Sequence, residues 1–209
     1  GPAVASIFSC AIFAAVSGSS VATAATIGMI AIPEMESRGY HKPLIYGSLA
    51  AGGTLGILIP PSFPMIIYGT FTETSVPKLF IAGVIPGLIM TALFMAYIAV
   101  HARLVPSIAP NETGPRSLAE LVRAVADVLP FFLLIAVTIG GLYFGVVTTT
   151  EAAAIGCVLS ILLGATLGEL TLRRFISAMH STIYFSGNIL FLILAAYIFS
   201  TALSFGGVG

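Results

Sequence analysis

The stretch Ser17-Gly18-Ser19-Ser20 divides an apolar run, residues 3–33, into two halves. Each half is shorter than the roughly 20 residues that an α-helix needs to cross a bilayer. The pattern therefore predicts a re-entrant helical hairpin, which enters the membrane, turns at this stretch and leaves on the same side. Non-helical backbone at membrane depth persists only where it is buried in protein or lines a polar cavity, so the turn is a candidate binding site. The alternative is one tilted span whose small residues serve helix packing.

The composition indicates a membrane protein. Of the 209 residues, 58% are hydrophobic and 8% are charged, whereas charged residues make up about a quarter of a soluble globular protein. The formal net charge is +0 and the charges are scattered, so we expect no binding to nucleic acid. Cys10 and Cys157 are isolated in apolar segments, where cysteine usually serves packing. We expect an all-α, multi-pass protein of the lipid bilayer, and a piece of a larger one.

A second apolar segment, residues 44–71, is also interrupted. Its centre holds three glycines and three prolines: Gly52, Gly53, Gly56, Pro60, Pro61 and Pro64. Proline removes a backbone donor and clashes with the preceding turn, and glycine weakens a helix. The sequence therefore predicts an unwound stretch across residues 52–64, with its carbonyls and hydroxyls close to those of the hairpin.

The remaining apolar segments predict uninterrupted spans at residues 79–100, 128–147, 152–167 and 181–203. Thr148 and Glu151 have the spacing of a capping box at the start of the third of these spans. We therefore assign Glu151 to the helix start and not to transport.

Two amphipathic stretches, residues 116–127 and 169–180, are predicted to lie along the membrane surface. The predicted organisation has three parts: half of a transport domain at residues 1–100, a cytoplasmic linker at 101–127, and scaffold spans at 128–209.

The basic residues support this topology. If the hairpin returns to its side of entry, seven of the eight basic residues lie on one face: Arg38, Lys42, Arg103, Arg116, Arg123, Arg173 and Arg174. Only Lys78 lies on the other face. Basic loops favour the cytoplasmic side, which assigns the first face to the cytoplasm.

Two broken membrane segments are typical of secondary transporters, in which helix ends meet near the midplane and bind substrate and coupling ion. Neither break contains a carboxylate. Carbonyl and hydroxyl oxygens suit a hard monovalent cation such as Na⁺, and a proton-coupled carrier would place an ionisable side chain inside a span. The sequence therefore favours Na⁺ coupling and an anionic substrate.

These motifs resemble the large membrane subunit of TRAP transporters, the DctM-like permeases. The similar segments are residues 17–28, 53–62, 78–87 and 148–154, in the family's order. In the last one, Thr149 stands where the family has proline, which removes a favoured first-turn residue and keeps the capping pair.

The resemblance implies a Na⁺-coupled, elevator-type importer of a small carboxylate, such as a C4-dicarboxylate or sialic acid, in the bacterial inner membrane. The implied partners are a small membrane subunit and a periplasmic substrate-binding protein. The family's subunit has two inverted repeats, and this chain would hold the first hairpin and its interrupted helix.

Carried over by motif, the residues around one Na⁺ would be Ser17, Gly18, Ser19, Ser20, Gly53, Thr54, Gly56 and Pro60. Those lining the substrate pocket would be Ser19, Ser20, Thr23, Pro61 and Ser62.

Two rival functions fit parts of the sequence. A channel subunit without coupling is compatible with the hydroxyl-rich breaks. A membrane-embedded enzyme would need a catalytic set within the spans, and His41, His101 and His180 lie far apart in predicted loops. We therefore expect no enzyme activity, and no cofactor apart from Na⁺ as the coupling ion.

Overall fold

The computed structural model describes residues 1–110 and 118–206, with the backbone alone for residues 118–128. Within these residues all regular secondary structure is helical, including a short 3₁₀ helix at Pro106–Ile108. The α-helices are α1 Pro2–Ser17, α2 Ser20–Ser37, α3 Lys42–Leu58, α4 Phe63–Phe71, α5 Val76–Leu104, α6 Leu118–Tyr143, α7 Thr149–Thr166 and α8 Leu172–Phe205. The all-α fold predicted from the sequence is confirmed.

In this described part, four segments are long and apolar enough to cross a membrane: Lys42–Phe71, Val76–Leu104, Thr149–Thr166 and Leu172–Phe205. The first consists of α3 and α4 with the break between them. The chain is therefore a multi-pass membrane protein.

The chain forms two compact units, Gly1–Cys157 and Val158–Gly209. In the first unit, α1 and α2 pack as an antiparallel hairpin. The Ser6 hydroxyl near the start of α1 contacts the Met35 sulfur near the end of α2, at 3.6 Å, which shows the antiparallel arrangement. Apolar side chains of α1, α2, α3 and α5 form its core, including Ile7, Met35, Ile45, Leu55 and Ile98. The predicted helical hairpin is formed, and its re-entry into the membrane stays a prediction.

The loops of the first unit gather at two ends. At one end the His41 amide donates to the Ile108 carbonyl (3.0 Å), so the loops after α2 and after α5 meet there. At the other end Phe80, Leu142 and Ala152 pack together, near the loops before α5 and before α7. The predicted cytoplasmic loops after α2 and α5 thus lie at one end of this unit, away from the loop that precedes α5.

Two predicted boundaries in the first unit need correction. The second hairpin helix runs through Pro33 to Ser37, beyond residue 33, where the apolar run of the sequence ends. A Glu34–Arg38 pair, with the Arg38 Nε 2.6 Å from the Glu34 carboxylate, joins one turn of this extension. The predicted unwinding across residues 52–64 is also too broad, because Gly52, Gly53 and Gly56 are helical and the break covers residues 59–62.

The predicted surface helices are not separate helices in the described part of the chain. Residues 172–180 are the first part of α8, which continues to Phe205 because nothing between residues 180 and 184 breaks a helix. With 34 residues, α8 is about 51 Å long, so its ends extend beyond a hydrocarbon core of about 30 Å. Residues 118–127 are likewise continuous with α6, while Arg116 and the side chains of the first stretch lie outside the described residues.

Candidate binding site at the hairpin tip

The tip of the hairpin is a two-residue connection, Gly18 and Ser19, between α1 and α2. Gly18 has a φ of +61° and ends α1, and its amide donates to the Ala14 carbonyl (2.9 Å). This left-handed conformation favours glycine. Ser19 then caps α2, since its hydroxyl accepts from the Ala22 amide (3.3 Å).

A small hydrogen-bond network holds the tip. The Thr23 hydroxyl donates to the Ser19 carbonyl (2.7 Å), which also accepts from the Thr23 amide (3.0 Å). The Ser17 hydroxyl lies 3.0 Å from the Thr23 hydroxyl and accepts from the Ser19 amide at 3.4 Å. The Ser17 hydroxyl can donate to the Thr23 hydroxyl or, at 3.4 Å, to the Ser19 carbonyl.

The break between α3 and α4 contains two consecutive prolines. Pro60 and Pro61 have no N–H groups, so the carbonyls of Gly56 and Ile57 lose the donors four residues further on that a continuous helix would provide. The Ser62 hydroxyl replaces one of these donors, since it donates to the Ile57 carbonyl at 2.6 Å. The Gly56 carbonyl is left without its helical donor.

The tip lies directly against the break. A Cβ added at Gly56 would lie 2.5 Å from the Ser19 carbonyl oxygen, and one added at Gly18 would lie 2.5 Å from the Pro61 carbonyl oxygen. The Phe63 amide, which starts α4, donates to the Gly18 carbonyl at 3.4 Å. Only glycine permits this approach of two backbones. We call this contact between residues 17–20 and residues 56–63 the tip–break junction.

The junction is neutral. Residues 17–26 and 53–64 contain no ionisable side chain. The carboxyl ends of α1 and α3 and the amino ends of α2 and α4 meet there, and these ends carry opposite partial charges. Such a site offers carbonyl oxygens to a cation and amide groups to an anion. In the described residues, no cluster of His, Cys, Asp or Glu could hold a metal.

The structure brings most of the predicted site residues to this junction. Four of these residues are half-buried: Ser17, Ser19, Ser20 and Pro61. Four others are buried: Gly18, Gly53, Gly56 and Pro60. Thr54 differs, because its side chain is exposed and its hydroxyl donates to the Ala51 carbonyl of its own helix (2.6 Å). Thr23 and Ser62 are fully buried, with 0% of each exposed.

Sequence reasoning missed the contacts that join the two elements. Ala24 packs against α3: a Cβ added at Gly53 would lie 2.8 Å from the Ala24 Cβ. The second such contact is the hydrogen bond from the Phe63 amide to the Gly18 carbonyl. The Pro-Pro pair was a usable signal, because it fixes in advance which two carbonyls lose their helical donors.

Comparison with known proteins places the whole chain in one family. Residues 1–209 match the family model described as "Tripartite ATP-independent periplasmic transporter, DctM component". The chain belongs to the DctM family. This family comprises transporter permeases and not enzymes.

Three relatives show how varied the family is. The chain is 45% identical, over 77% of its length, to the C4-dicarboxylate TRAP transporter large permease protein DctM of Pseudomonas aeruginosa. It is 37% identical over its full length to the ectoine/5-hydroxyectoine TRAP transporter large permease protein UehC of Ruegeria pomeroyi. It is 31% identical over 90% of its length to the sialic acid TRAP transporter large permease protein SiaM of Vibrio cholerae.

The chain spans half or less of these relatives. The matched segments cover 37% of the Pseudomonas protein, 48% of the Ruegeria protein and 44% of the Vibrio protein.

Proposed function

We propose that this DctM-family chain carries one ion- and substrate-binding half of a Na⁺-coupled transporter that imports a small carboxylate. The observation that carries the proposal is the tip–break junction, where two interrupted membrane elements meet through backbone contacts and offer only neutral oxygens.

The cation side of the proposal rests on the carbonyl groups. Helix carboxyl ends carry partial negative charge, and the Gly56 carbonyl lacks its helical donor because residue 60 is proline. A Na⁺ ion bound there would need no deprotonation of a side chain. Gly53, Thr54, Gly56 and Pro60 on the break, with residues 17–20 on the tip, remain the proposed ion-binding set.

The substrate side rests on the helix amino ends and on the relatives. The amino ends of α2 and α4 point partial positive charge at the junction, which favours a carboxylate. Two of the relatives are named for C4-dicarboxylate and for sialic acid, both of which are carboxylates. We propose that Ser19, Ser20 and Pro61 face the substrate.

The proposed assembly follows the family's description as a component of a tripartite periplasmic transporter. A small membrane subunit would complete the scaffold, and a periplasmic substrate-binding protein would deliver the substrate. The proposed location is the bacterial inner membrane, and the proposed movement is of elevator type, with residues 1–100 in the moving part and 128–209 in the fixed scaffold.

Reconstituted uptake tests the proposal. The full-length permease, with its small subunit and binding protein, is placed in proteoliposomes and given a C4-dicarboxylate, sialic acid or ectoine. Uptake of one of these should follow an inward Na⁺ gradient after the pH gradient is collapsed. Uptake that persists without Na⁺ and follows the proton gradient would contradict the proposal.

Counterflow separates a carrier from a channel. Vesicles preloaded with unlabelled substrate should transiently accumulate labelled substrate above its external concentration, because a carrier exchanges bound molecules. Simple equilibration, with no such overshoot, would indicate a pore.

A further inference from the structure

We infer that Thr23 and Ser62 are positioning residues, which set the backbone of the tip–break junction and do not touch the substrate. The inference rests on the proposed function, since it concerns the residues around the proposed Na⁺ and carboxylate site. It gives both hydroxyls a different role from the substrate contacts that the family resemblance implies.

Burial separates these two residues from the other hydroxyl-bearing residues of the site. Thr23 and Ser62 have 0% of their surface exposed, although this chain spans only part of its relatives. In this conformation, further chain would cover surface and would expose none. Ser19 and Ser20 are half-buried and keep accessible surface at the same junction. A substrate arriving at the junction therefore meets Ser19 and Ser20 and not the two buried hydroxyls.

Thr23 acts on the tip. Its hydroxyl donates to the Ser19 carbonyl, which also accepts from the Thr23 amide. The Thr23 hydroxyl also lies 3.0 Å from the Ser17 hydroxyl, within hydrogen-bond distance. These bonds fix the direction of the Ser19 carbonyl and the position of the Ser17 hydroxyl.

Ser62 acts on the break in the equivalent way. Its hydroxyl supplies the donor that Pro61 lacks and satisfies the Ile57 carbonyl at 2.6 Å. The neighbouring Gly56 carbonyl also loses its helical donor, because residue 60 is proline. Ser62 thus satisfies one of the two carbonyls that lose their helical donors at the Pro-Pro pair.

Thr23→Val tests the inference in the full-length permease within the assembled transporter, because valine keeps the shape of threonine and removes the hydroxyl. Thr23→Ser keeps the hydroxyl. The matched control is Thr91→Val, since Thr91 is also buried and donates to the carbonyl four residues earlier, Gly87, at 2.8 Å, but lies on α5. Ser62→Ala provides an independent second variant.

Two quantities are measured for each variant: the Na⁺ concentration that gives half-maximal uptake, and the substrate KM at saturating Na⁺. Loss of one net hydrogen bond should raise the first by about two- to tenfold in Thr23→Val and in Ser62→Ala. The substrate KM and the preference between two substrates should stay unchanged. Thr23→Ser and Thr91→Val should behave like the parent.

Three results would overturn the inference. One is a rise in substrate KM at saturating Na⁺, or a changed substrate preference, because these indicate direct contact. Another is a Thr23→Ser variant as impaired as Thr23→Val, because the methyl group would then be the part that matters. The third is unaltered Na⁺ dependence in both hydroxyl-deleting variants. A parent transporter that does not respond to Na⁺ would instead refute the proposed function.

Discussion

A side-chain hydroxyl caps the start of both α2 and α7, from Ser19 and from Thr148 respectively. The two helix starts differ in charge, in burial and in what packs against them. At α7 the Glu151 carboxylate accepts from the Thr148 amide and hydroxyl, both at 2.8 Å, and Glu151 is exposed. At α2 there is no carboxylate, the cap is half-buried, and the backbone of a second broken element lies against it.

The difference indicates which helix start is suited to binding. The Glu151 carboxylate accepts hydrogen bonds within its own helical turn, in the capping box that the sequence predicts. The tip of α2 instead brings together helix ends from four helices without any formal charge. We therefore place the proposed ion and substrate at the tip and not at the start of α7.

The largest effect is expected from Gly56→Ala. The added Cβ would lie 2.5 Å from the Ser19 carbonyl oxygen and 2.6 Å from its carbon, both backbone atoms that cannot rotate away. Overpacking typically costs about 1–3 kcal/mol, which corresponds to roughly five- to 150-fold if it falls on the bound state. Uptake and Na⁺ affinity measured in the same vesicles should both fall.

Gly47→Ala is the control on the same helix. A Cβ at Gly47 would have nothing within 4 Å. Alanine favours a helix over glycine by up to about 1 kcal/mol, so stability should be unchanged or slightly higher. Loss of uptake in Gly47→Ala equal to that in Gly56→Ala would show that any alanine in α3 is harmful and would remove the case for a specific contact.

An effect of similar size is expected from Gly18→Ala, and Gly168→Ala shows which part of it is backbone strain. Both glycines have positive φ, +61° and +70°, where alanine costs about 1–2 kcal/mol. A Cβ at Gly168 would meet nothing within 4 Å, whereas one at Gly18 would lie 2.5 Å from the Pro61 carbonyl oxygen. Thermal unfolding should show a loss in both variants, and uptake should fall further in Gly18→Ala. Equal losses of uptake would argue against the tip–break contact.

The smallest effect is expected from Glu151→Gln. Glutamine can keep the capping box, so the cost should be limited to the charge–dipole contribution of about 0.3–1 kcal/mol. Na⁺-driven uptake should stay within about twofold of the parent, with the same pH profile. A flattened pH profile, or abolished uptake in a folded variant, would make Glu151 a transport carboxylate and reverse the comparison.

Much of the fold was predictable because membrane helices are recognisable in a sequence as long apolar segments. The hairpin turn at residues 17–20 follows from a Ser-Gly break in an apolar run, and the interruption near Pro60 and Pro61 follows from their missing donors. The extents of the helices were less predictable. Glycines are compatible with an unwound segment and equally with a close helix contact, and only packing decided that Gly53 and Gly56 are helical and face the hairpin.

The site itself was predictable as a set of residues and not as a set of roles. Thr54 and Ser62 look alike in sequence, each a hydroxyl beside a glycine- or proline-rich stretch. In three dimensions Thr54 is exposed and bonded within its helix, and Ser62 is fully buried against Ile57. The direction of Thr54 depends on how α3 is rotated against its neighbours, and the direction of Ser62 depends on the path of the backbone through the break. Both are set by contacts between residues distant in sequence.

Na⁺-dependent thermal unfolding of the purified full-length permease tests most directly whether the tip–break junction holds the ion. NaCl is exchanged for choline chloride at constant ionic strength, and the parent, Gly56→Ala and Glu151→Gln proteins are compared. Binding to the folded state alone should stabilise it by about 2.7 kcal/mol at a Na⁺ concentration 100 times Kd. We predict that Na⁺ stabilises the parent and Glu151→Gln equally, and Gly56→Ala much less. Full Na⁺ stabilisation of Gly56→Ala, or its loss in Glu151→Gln, would contradict the assignment of the ion to this junction.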